Sequence, residues 1–156
     1  MRKAKQISVS LENRPGRLAS LCRCLADGKI NIIAISVAET TEQGVVRMVV
    51  DKPEAALKKI AECGTMTCSE TDVLLVDLPN KVGVLAELAA KLASKRVNVN
   101  FVYGSTGTRG GKANIVVGAT NIKNAAKALR SRLLSRPFCR SYFPSRNAFR
   151  NSTIVS

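Results

Sequence analysis

Two polar bends, each with an asparagine followed three residues later by a glycine, carry the side chains best suited to bind a small ligand. The first, LENRPGRLAS, contains Asn13 and Gly16, and the second, LPNKVGVLAE, contains Asn80 and Gly83. An asparagine amide both donates and accepts hydrogen bonds, and a glycine lets a ligand approach the backbone. Each bend precedes an amphipathic helix pattern, whose unpaired first N–H groups attract a carboxylate. Taken singly these are ordinary turn residues, so the repetition of the bend is what favours a binding role.

The two bends belong to a long internal repeat, which determines how the whole chain is interpreted. When the sequence is shifted so that Asn13 falls on Asn80, apolar positions and a further asparagine also coincide. A duplicated structural unit is therefore predicted. The matched pairs are Leu11 with Leu78, Gly16 with Gly83, Leu18 with Leu85, Leu25 with Leu92, Asn31 with Asn98, Ile32 with Val99, Met48 with Ile115 and Val50 with Val117.

Each half has the same predicted order of elements, strand–helix–strand–strand–helix–strand. Alternating apolar residues indicate strands, apolar residues three and four apart indicate helices, and a polar loop between two strands indicates a hairpin. The last strand of the second half, at 134–143, contains Pro137 and fits only the edge of a sheet. The first half is predicted to have strands at 7–11, 30–38, 45–51 and 65–70 and helices at 18–25 and 53–61; the second helix of the second half is predicted at 121–130.

This order predicts an α+β fold made of two ferredoxin-like βαββαβ units, with antiparallel sheets and helices on one face. The first unit covers residues 1–70 and the second covers 71–143, its last strand being left open from residue 130. Residues 144–156 are basic, have no apolar period and are expected to be disordered. Units of about 65 residues are near the lower limit for an independent core, so we expect the two to pack together.

The charge of the chain is strongly positive but uneven. Its 25 basic and 11 acidic residues give a net charge of +14. Six arginines and no acid fall in 130–156, which leaves 19 basic and 11 acidic residues, or +8, for 1–129. Such a charge favours anionic partners, including nucleic acid, although much of it lies in the C-terminal stretch.

Composition also argues against several classes of protein. The chain lacks histidine, the commonest general base and metal ligand, and no catalytic motif is recognisable, so we predict neither an enzyme nor a cofactor. The glycine-rich GSTGTRGGK is followed by alanine and a strand, where a phosphate-binding loop needs serine or threonine and a helix. No apolar run reaches the ~20 residues that span a bilayer, and no secretion signal is recognisable, so no membrane partner and a cytoplasmic location are expected. Five cysteines, an odd number, argue against a disulfide scaffold.

Two other binding classes, metal carriers and RNA-binding modules, share local features with this sequence. The stretch GTMTCSE resembles the loop of small metal carriers, but it offers one thiolate where such carriers need two, so no metal site is predicted. An RNA-recognition module has the same order of elements and a positive charge, and it stacks bases on aromatic residues of its central strands. Phe101 and Tyr103 are the candidates for such stacking here. A basic RNA-binding protein is therefore the alternative function.

The segments ENRPGRLASLCRCLADGKINI and PNKVGVLAELAAKLASKRVNV resemble the ACT domain, a βαββαβ module that binds small ligands, most often amino acids. The resemblance covers about residues 5–129. Members of that family have an N/D-R-P-G-x-L motif at the first bend and G-x-N-I at the start of the second strand. In the first copy one more residue stands between Gly28 and Asn31 than in the motif, and in the second copy Val82 and Ser94 depart from the motifs. The matching residues are Asn13, Arg14, Pro15, Gly16, Leu18, Gly28, Asn31 and Ile32, and then Asn80, Gly83, Leu85, Asn98 and Val99.

The resemblance implies a tandem ACT protein without an attached enzyme, pairing its units side by side. It implies an amino-acid effector at the seam between paired units, a homodimer, and regulation of an enzyme of amino-acid metabolism, with nucleic acid not expected as a partner. In this scheme Asn13 holds the polar end of the ligand, the Gly16 and Arg17 amides hold its carboxylate, and Asn31 comes from the facing unit. The candidate ligand-binding residues are Asn13, Pro15, Gly16, Arg17, Leu18, Asn31, Ile32, Asn80, Gly83, Val84, Leu85, Asn98 and Val99.

Overall fold

A computed structural model describes residues 1–39, 43–64, 67–106 and 111–130. Within these ranges the predicted order of elements is confirmed, whereas the strand predicted at 134–143 and the tail 144–156 lie outside the described residues. The strands are β1 (Arg2–Glu12), β2 (Ile32–Glu39), β3 (Gln43–Val50), β4 (Cys68–Pro79), β5 (Val99–Thr106) and β6 (Lys112–Ala119). The helices are α1 (Arg17–Asp27), α2 (Pro53–Glu62), α3 (Val84–Ser94) and α4 (Ile122–Arg130).

One strand, β4, belongs to both units. The sequence suggested a strand ending the first unit and another beginning the second, but β4 is continuous, and the boundary predicted after residue 70 falls inside it. The reason is that the short linker is itself extended and pairs with β1, Glu70 opposite Ile7 and Asp72 opposite Lys5. All six strands form one antiparallel sheet in the order β2-β3-β1-β4-β6-β5. The α+β, ferredoxin-like class is confirmed, with the two expected sheets joined into one.

The hairpins of the two halves differ in length. Ile7 and Leu74 are equivalent in the repeat, and they pair with Met48 and Val117 respectively. The sequence comparison used a single shift for the whole repeat and so aligned Met48 with Ile115. That alignment is wrong for residues after the hairpin loop of the second unit. That loop is longer than the first by two positions, and a surface loop can lengthen without disturbing the paired strands. The corrected pairs are Met48 with Val117 and Val50 with Ala119.

Two apolar cores lie between the sheet and the helices, one for each unit. Alternate residues of β1 and β4 point toward the helices, which bury their apolar stripes against them. Both cores lie on the same face of the sheet, so the prediction of helices on one face is confirmed. The first core includes Ile7, Val9, Leu21, Leu25, Met48 and Ile60, and the second includes Leu74, Val76, Leu88, Leu92, Val117 and Ala125.

The face of the sheet opposite the helices is also buried. The sheet curls until its two edge strands, β2 and β5, approach each other. A third core lies inside this curl, formed by Val49, Val73, Leu75 and Val116. The curl therefore brings residues of the two units into contact on a face that helices do not cover.

Polar and aromatic contacts cross between the units inside the curl. The Tyr103 hydroxyl donates a hydrogen bond of 3.0 Å to Oε1 of Gln6, a residue that is only 1% exposed. Gln6 Nε2 donates in turn to Ser8 Oγ at 3.3 Å. Arg47 places its guanidinium 5.4 Å from the centroid of the Phe101 ring, within the range of a cation–π contact. Burial raises the pKa of Tyr103 to about 12, although the nearby Arg47 charge opposes this.

A disulfide joins the two helices of the first unit. Cys24 in the last turn of α1 bonds to Cys63, which follows α2, and their Cα atoms are 6.4 Å apart. The odd cysteine count suggested no disulfide scaffold, and to this extent that interpretation is wrong. Sequence spacing alone could not indicate this pair, because the packing of α1 against α2 brings the two cysteines together. Cys22 and Cys68 are free thiols.

Among the described residues, no helix has the length and apolar character needed to cross a membrane.

Candidate functional site

The two bends have the same backbone conformation. Gly16 and Gly83 each precede a helix with positive φ angles of 89° and 90°, a region in which side chains other than hydrogen are strained. Neither helix has a side-chain cap on its first turn. A Cβ added at either glycine would meet nothing within 4 Å. The backbone conformation therefore explains both glycines, and the space beside each bend is open.

The backbone of the first bend is partly engaged by its own turn. The Arg14 N–H donates to the Glu12 carbonyl at 2.9 Å, and the Arg17 N–H donates to the Arg14 carbonyl at 3.3 Å. The Arg17 amide, which we expected to hold a carboxylate, is thus already used by the turn. Asn13 and Pro15 are exposed. The turn therefore uses one of the two backbone donors, Gly16 and Arg17, that the sequence predicted for a carboxylate.

A polar cleft lies beside the first bend. It has a volume of about 470 Å³ and is lined by Ser10, Leu11, Glu12, Arg17, Gln43 and Thr67. The end of β1, the start of α1, the start of β3 and the residue before β4 each contribute, because β1 pairs with both β3 and β4. Arg17 was a predicted ligand-binding residue. No sequence pattern indicated the other five, since only the sheet brings them together.

Opposite charges face each other at the edge of this cleft. Arg17 Nε lies 3.8 Å from Glu12 Oε2, and Arg14 Nε lies 3.9 Å from the same oxygen. Arg17 Nε is inaccessible to solvent, and it makes no hydrogen bond within the described part of the chain. The separation of Arg17 and Glu12 permits attraction between charges but is too long for a hydrogen bond. The guanidinium therefore retains donor capacity beside the cleft.

The second bend lacks this charge pair. Pro79 stands where Glu12 stands in the first bend, and Val84 replaces Arg17. Val84 is buried in the core of the second unit, so its side chain is directed away from any ligand at the surface. The Asn80 N–H donates to the Gly111 carbonyl at 2.8 Å, which ties this bend to the neighbouring strand. The two bends thus share a backbone conformation and differ in the side chains that they offer to a ligand.

The remaining predicted asparagines make contacts near the starts of β2 and β5. The Asn31 N–H donates to Asp51 Oδ1 at 2.9 Å, and the Asp51 N–H donates to the Asn31 carbonyl at 3.1 Å. Asn98 Nδ2 donates to Asn100 Oδ1 at 3.3 Å, and its carbonyl accepts from Thr120. Ile32 and Val99, half-buried, pack against the helix-side cores.

The sheet does not bring the predicted site residues together. The Ser10 N–H donates to the Thr67 carbonyl, so the first bend lies level with the start of β4, and the second bend follows its end at Pro79. The length of β4 places the bends roughly 40 Å apart. Asn31 precedes the edge strand β2 and lies level with the middle of β1, because Ile32 pairs with Val50 and the adjacent Val49 pairs with Gln6. Leu18 and Leu85 are exposed on the first turns of α1 and α3.

Lys5 provides the clearest electrostatic perturbation. Its ammonium lies 2.9 Å from both Glu70 and Asp72 on β4. Hydrogen bonds to Glu70 and then to Asp72 raise the Lys5 pKa above its usual value. These exposed pairs lie at the junction of the units and far from either bend. No group of three or more potential metal-ligating side chains occurs in the part of the chain that the structure describes.

The aromatic residues do not form a base-stacking surface. Phe101 and Tyr103, the candidates for RNA stacking, are half-buried inside the curl, with ring centroids 6.3 Å apart. Gly118 lies opposite Phe101, and a Cβ there would overlap the ring. The rings therefore have an internal packing role that conflicts with stacking on RNA bases.

Known proteins share this architecture. A family model described as an ACT domain pair matches residues 2–135. Protein BT0572 from Bacteroides thetaiotaomicron is 30% identical, with a TM-score of 0.76 over 82% of this chain and 87% of that one. The regulatory subunit of aspartate kinase from Thermus thermophilus, in its ligand-free form, is 18% identical, with a TM-score of 0.58 over 81% and 91%.

A second aspartate kinase regulatory subunit, from Thermus flavus, has the same fold. Its TM-score is 0.53 at 19% identity, over 83% of this chain and 95% of that one. Among curated proteins, none matches. The aspartate kinase structures share the fold with this chain, and the family model covers nearly all of its described residues. The chain therefore belongs to the ACT domain family, as a pair of ACT domains in one polypeptide.

Proposed function

We propose that this chain is a non-catalytic sensor that binds a free amino acid in the cleft beside its first bend and thereby regulates an enzyme of amino-acid metabolism. The observation that carries the proposal is the arrangement of Arg17 and Glu12 at the edge of that cleft. An amino acid presents a carboxylate and an ammonium close together, and this pair offers one partner for each. The ACT domain is a regulatory module, which supports a role in control.

Replacing the contact between Arg17 and Glu12 by contacts to a bound amino acid is energetically favourable. An exposed ion pair contributes only about 0–1 kcal/mol, so separating Arg17 from Glu12 costs little. Hydrogen bonds to charged groups contribute about 1.5–3 kcal/mol each, and a guanidinium can grip a carboxylate with two of them. A ligand that satisfies both side chains would therefore gain more than the present long contact provides. Asn13, the exposed residue that follows Glu12, would contribute an amide to the same ligand.

The rest of the cleft limits the ligand side chain. Its lining is mostly polar and includes Ser10, Gln43 and Thr67, whereas Leu11 is almost wholly buried. Such a lining suits a small polar side chain better than a large apolar one. The volume of about 470 Å³ lies within the usual range for small-molecule sites.

Regulation requires that the ligand prefer one arrangement of the protein over another, typically by about 1–3 kcal/mol. Two surfaces support a homodimer as the assembly that responds. Within the described sheet, β2 and β5 are edge strands, which offer unpaired backbone groups. Ile35 and Val37 on β2 and Val102 on β5 are exposed apolar residues on these edges. Pairing of such edges between copies would cover them.

Isothermal titration with the twenty amino acids tests this function. We expect at least one to bind, and we expect Arg17→Met to weaken it at least tenfold, because the carboxylate loses its partner. Asn13→Ala should weaken it less. Arg23→Met, on the exposed side of the same helix, is the matched control and should leave binding unchanged. If no amino acid gives a binding signal with the unmodified protein, the proposed function is wrong.

A further inference from the structure

The outer faces of the two helix pairs carry different charges. Five cations lie on one surface of the second helix pair, which we call the α3–α4 basic face: Lys91, Lys95, Lys123, Lys127 and Arg130. Residues three and four apart on a helix are neighbours, so the cations of each helix form a stripe. Lys95 and Lys127 line a common cleft, which joins the two stripes into one surface.

The first unit shows that the fold does not require this face. Its equivalent positions follow from the repeat. Positions in α3 are matched by the alignment that places Asn13 on Asn80, and positions in α4 by the alignment that places Met48 on Val117. One cation and one acid occupy them, so their net charge is zero, against five positive charges in the second unit. The equivalents, in the same order, are Cys24, Gly28, Glu54, Lys58 and Ala61.

The two units also differ in whether their cations form ion pairs with acidic side chains. In the first unit Lys59 pairs with Glu62 at 3.1 Å and Arg17 faces Glu12. Within the described residues, by contrast, four members of the basic face form no ion pair: Lys95, Lys123, Lys127 and Arg130. Glu87, in the first turn of α3, is the one acid on these two helices. The charges of these four cations are therefore not neutralised by ion pairs within the described part of the chain.

A shallow cleft of about 250 Å³ lies at the centre of the face. Lys95, Asn124, Lys127 and Ala128 line it, so two ammonium groups and a carboxamide surround a small space. Lysine ammoniums act as point charges that suit phosphate without demanding a fixed geometry. The two helices offer no aromatic ring for stacking.

We propose that the α3–α4 basic face binds the phosphate backbone of nucleic acid without reading its sequence. After Arg130 the sequence contains five further arginines and no acid, which adds to the net positive charge of the chain. A long, regularly charged polyanion matches such an extended row of cations better than the mixed charges of a protein surface. Cations without aromatic partners give affinity that depends on salt and little on base identity. This surface lies on the other unit from the amino-acid cleft and does not depend on it.

The test uses the full chain and a fluorescein-labelled oligodeoxythymidine strand of about twenty nucleotides, with binding followed by fluorescence anisotropy at several salt concentrations. The variant replaces Lys95, Lys123 and Lys127 by glutamine. The control replaces Lys3, Arg23 and Lys58 by glutamine and so makes the same change in net charge on exposed positions elsewhere. Thermal unfolding of both variants checks that these exposed substitutions leave the fold intact.

We expect the Lys95, Lys123 and Lys127 variant to bind at least tenfold more weakly than the unmodified chain. Its slope of log K against log salt should become shallower by about 2, since each lost phosphate contact removes about 0.7. The control variant should lose markedly less affinity, and its salt slope should change markedly less. Equal losses in the two variants, or no binding by the unmodified chain, would overturn the proposal. Competition by poly-L-glutamate as strong as that by unlabelled strand, at equal charge concentration, would replace nucleic acid by an acidic protein as the partner.

Discussion

The two ACT units share backbone, element order and glycine-directed bends, yet their chemistry lies in different places. The first unit has Glu12 and Arg17 beside an open cleft, whereas the second has Pro79 and a buried Val84 at the same positions. The second unit has the basic helical face, whereas the first has the disulfide-bonded Cys24 at the position equivalent to Lys91. Duplication preserved the residues that the fold needs and left the surface positions free to diverge. We therefore propose ligand binding at the first unit and polyanion binding at the second.

The largest expected effect tests whether the two units are energetically separate. Leu21→Ala and Leu88→Ala remove equivalent, fully buried side chains, and each should lower the free energy of unfolding by about 2–5 kcal/mol. Because β4 is shared, either substitution should shift one common transition in urea, followed by circular dichroism. Two separate transitions, each moved by only one substitution, would contradict a continuous sheet.

The disulfide in the first unit should make the stability of the whole fold depend on redox conditions. Cys63→Ser removes a cross-link between residues 39 apart in sequence, and we expect a loss of about 2–4 kcal/mol under oxidising conditions. Under strong reductant the variant and the unmodified chain should unfold alike. Cys22→Ser, which removes a free thiol close to Cys24 in sequence, is the control and should have little effect. Equal stability of all three proteins without reductant would show that the bond does not form.

The two units differ in the sizes of the paired side chains at one position inside the curl. The first unit pairs Val49 with Ala34, and the second has Gly118 opposite Phe101 at the equivalent positions. Gly118→Val should cost about 1–3 kcal/mol, because the added atoms overlap the ring. Adding Phe101→Ala should relieve that overlap and give a favourable coupling in a double-mutant cycle measured by urea unfolding. Strictly additive losses would contradict this packing.

The smallest expected effect concerns the hydrogen bond between the units. Tyr103→Phe should cost about 1 kcal/mol, because Gln6 loses its donor. The Tyr103 pKa of about 12 lies above its unfolded value of 10.0. The folded state therefore holds this proton more tightly, and its contribution is complete below pH 10 and is lost as the pH rises from 10 to 12. The difference in melting temperature between the unmodified chain and Tyr103→Phe should shrink across that interval, and a constant difference would contradict the assignment.

Local pattern was enough to predict most of the fold. Alternating residues such as Ile7, Val9 and Leu11 identified strands, and the repeat identified the duplicated unit. The fusion of two sheets through β4 was missed, because a short polar linker indicates a break when read alone. The curl was missed for a related reason: its contacts, such as Tyr103 with Gln6, join residues 97 apart in sequence.

The candidate site was only partly predictable. The sequence identified Arg17 by its place in the bend motif. However, it assigned the binding role to the Arg17 backbone amide, which the turn already uses. Glu12 and Gln43 carry no sequence signal that links them, since their proximity depends on the pairing of β1 with β3. Equivalent asparagines also suggested two equivalent bends. Only the burial of Val84 shows how far the second one has diverged.

The number of amino-acid molecules bound per chain tests the central comparison most directly. Isothermal titration with the tightest-binding amino acid should give one site per chain, because only the first bend has the Glu12 and Arg17 pair. Glu12→Gln should weaken that site, whereas Lys81→Gln at the second bend should leave both stoichiometry and affinity unchanged. Two equivalent sites per chain, or one site weakened by Lys81→Gln and indifferent to Glu12→Gln, would contradict the assignment of ligand binding to the first unit.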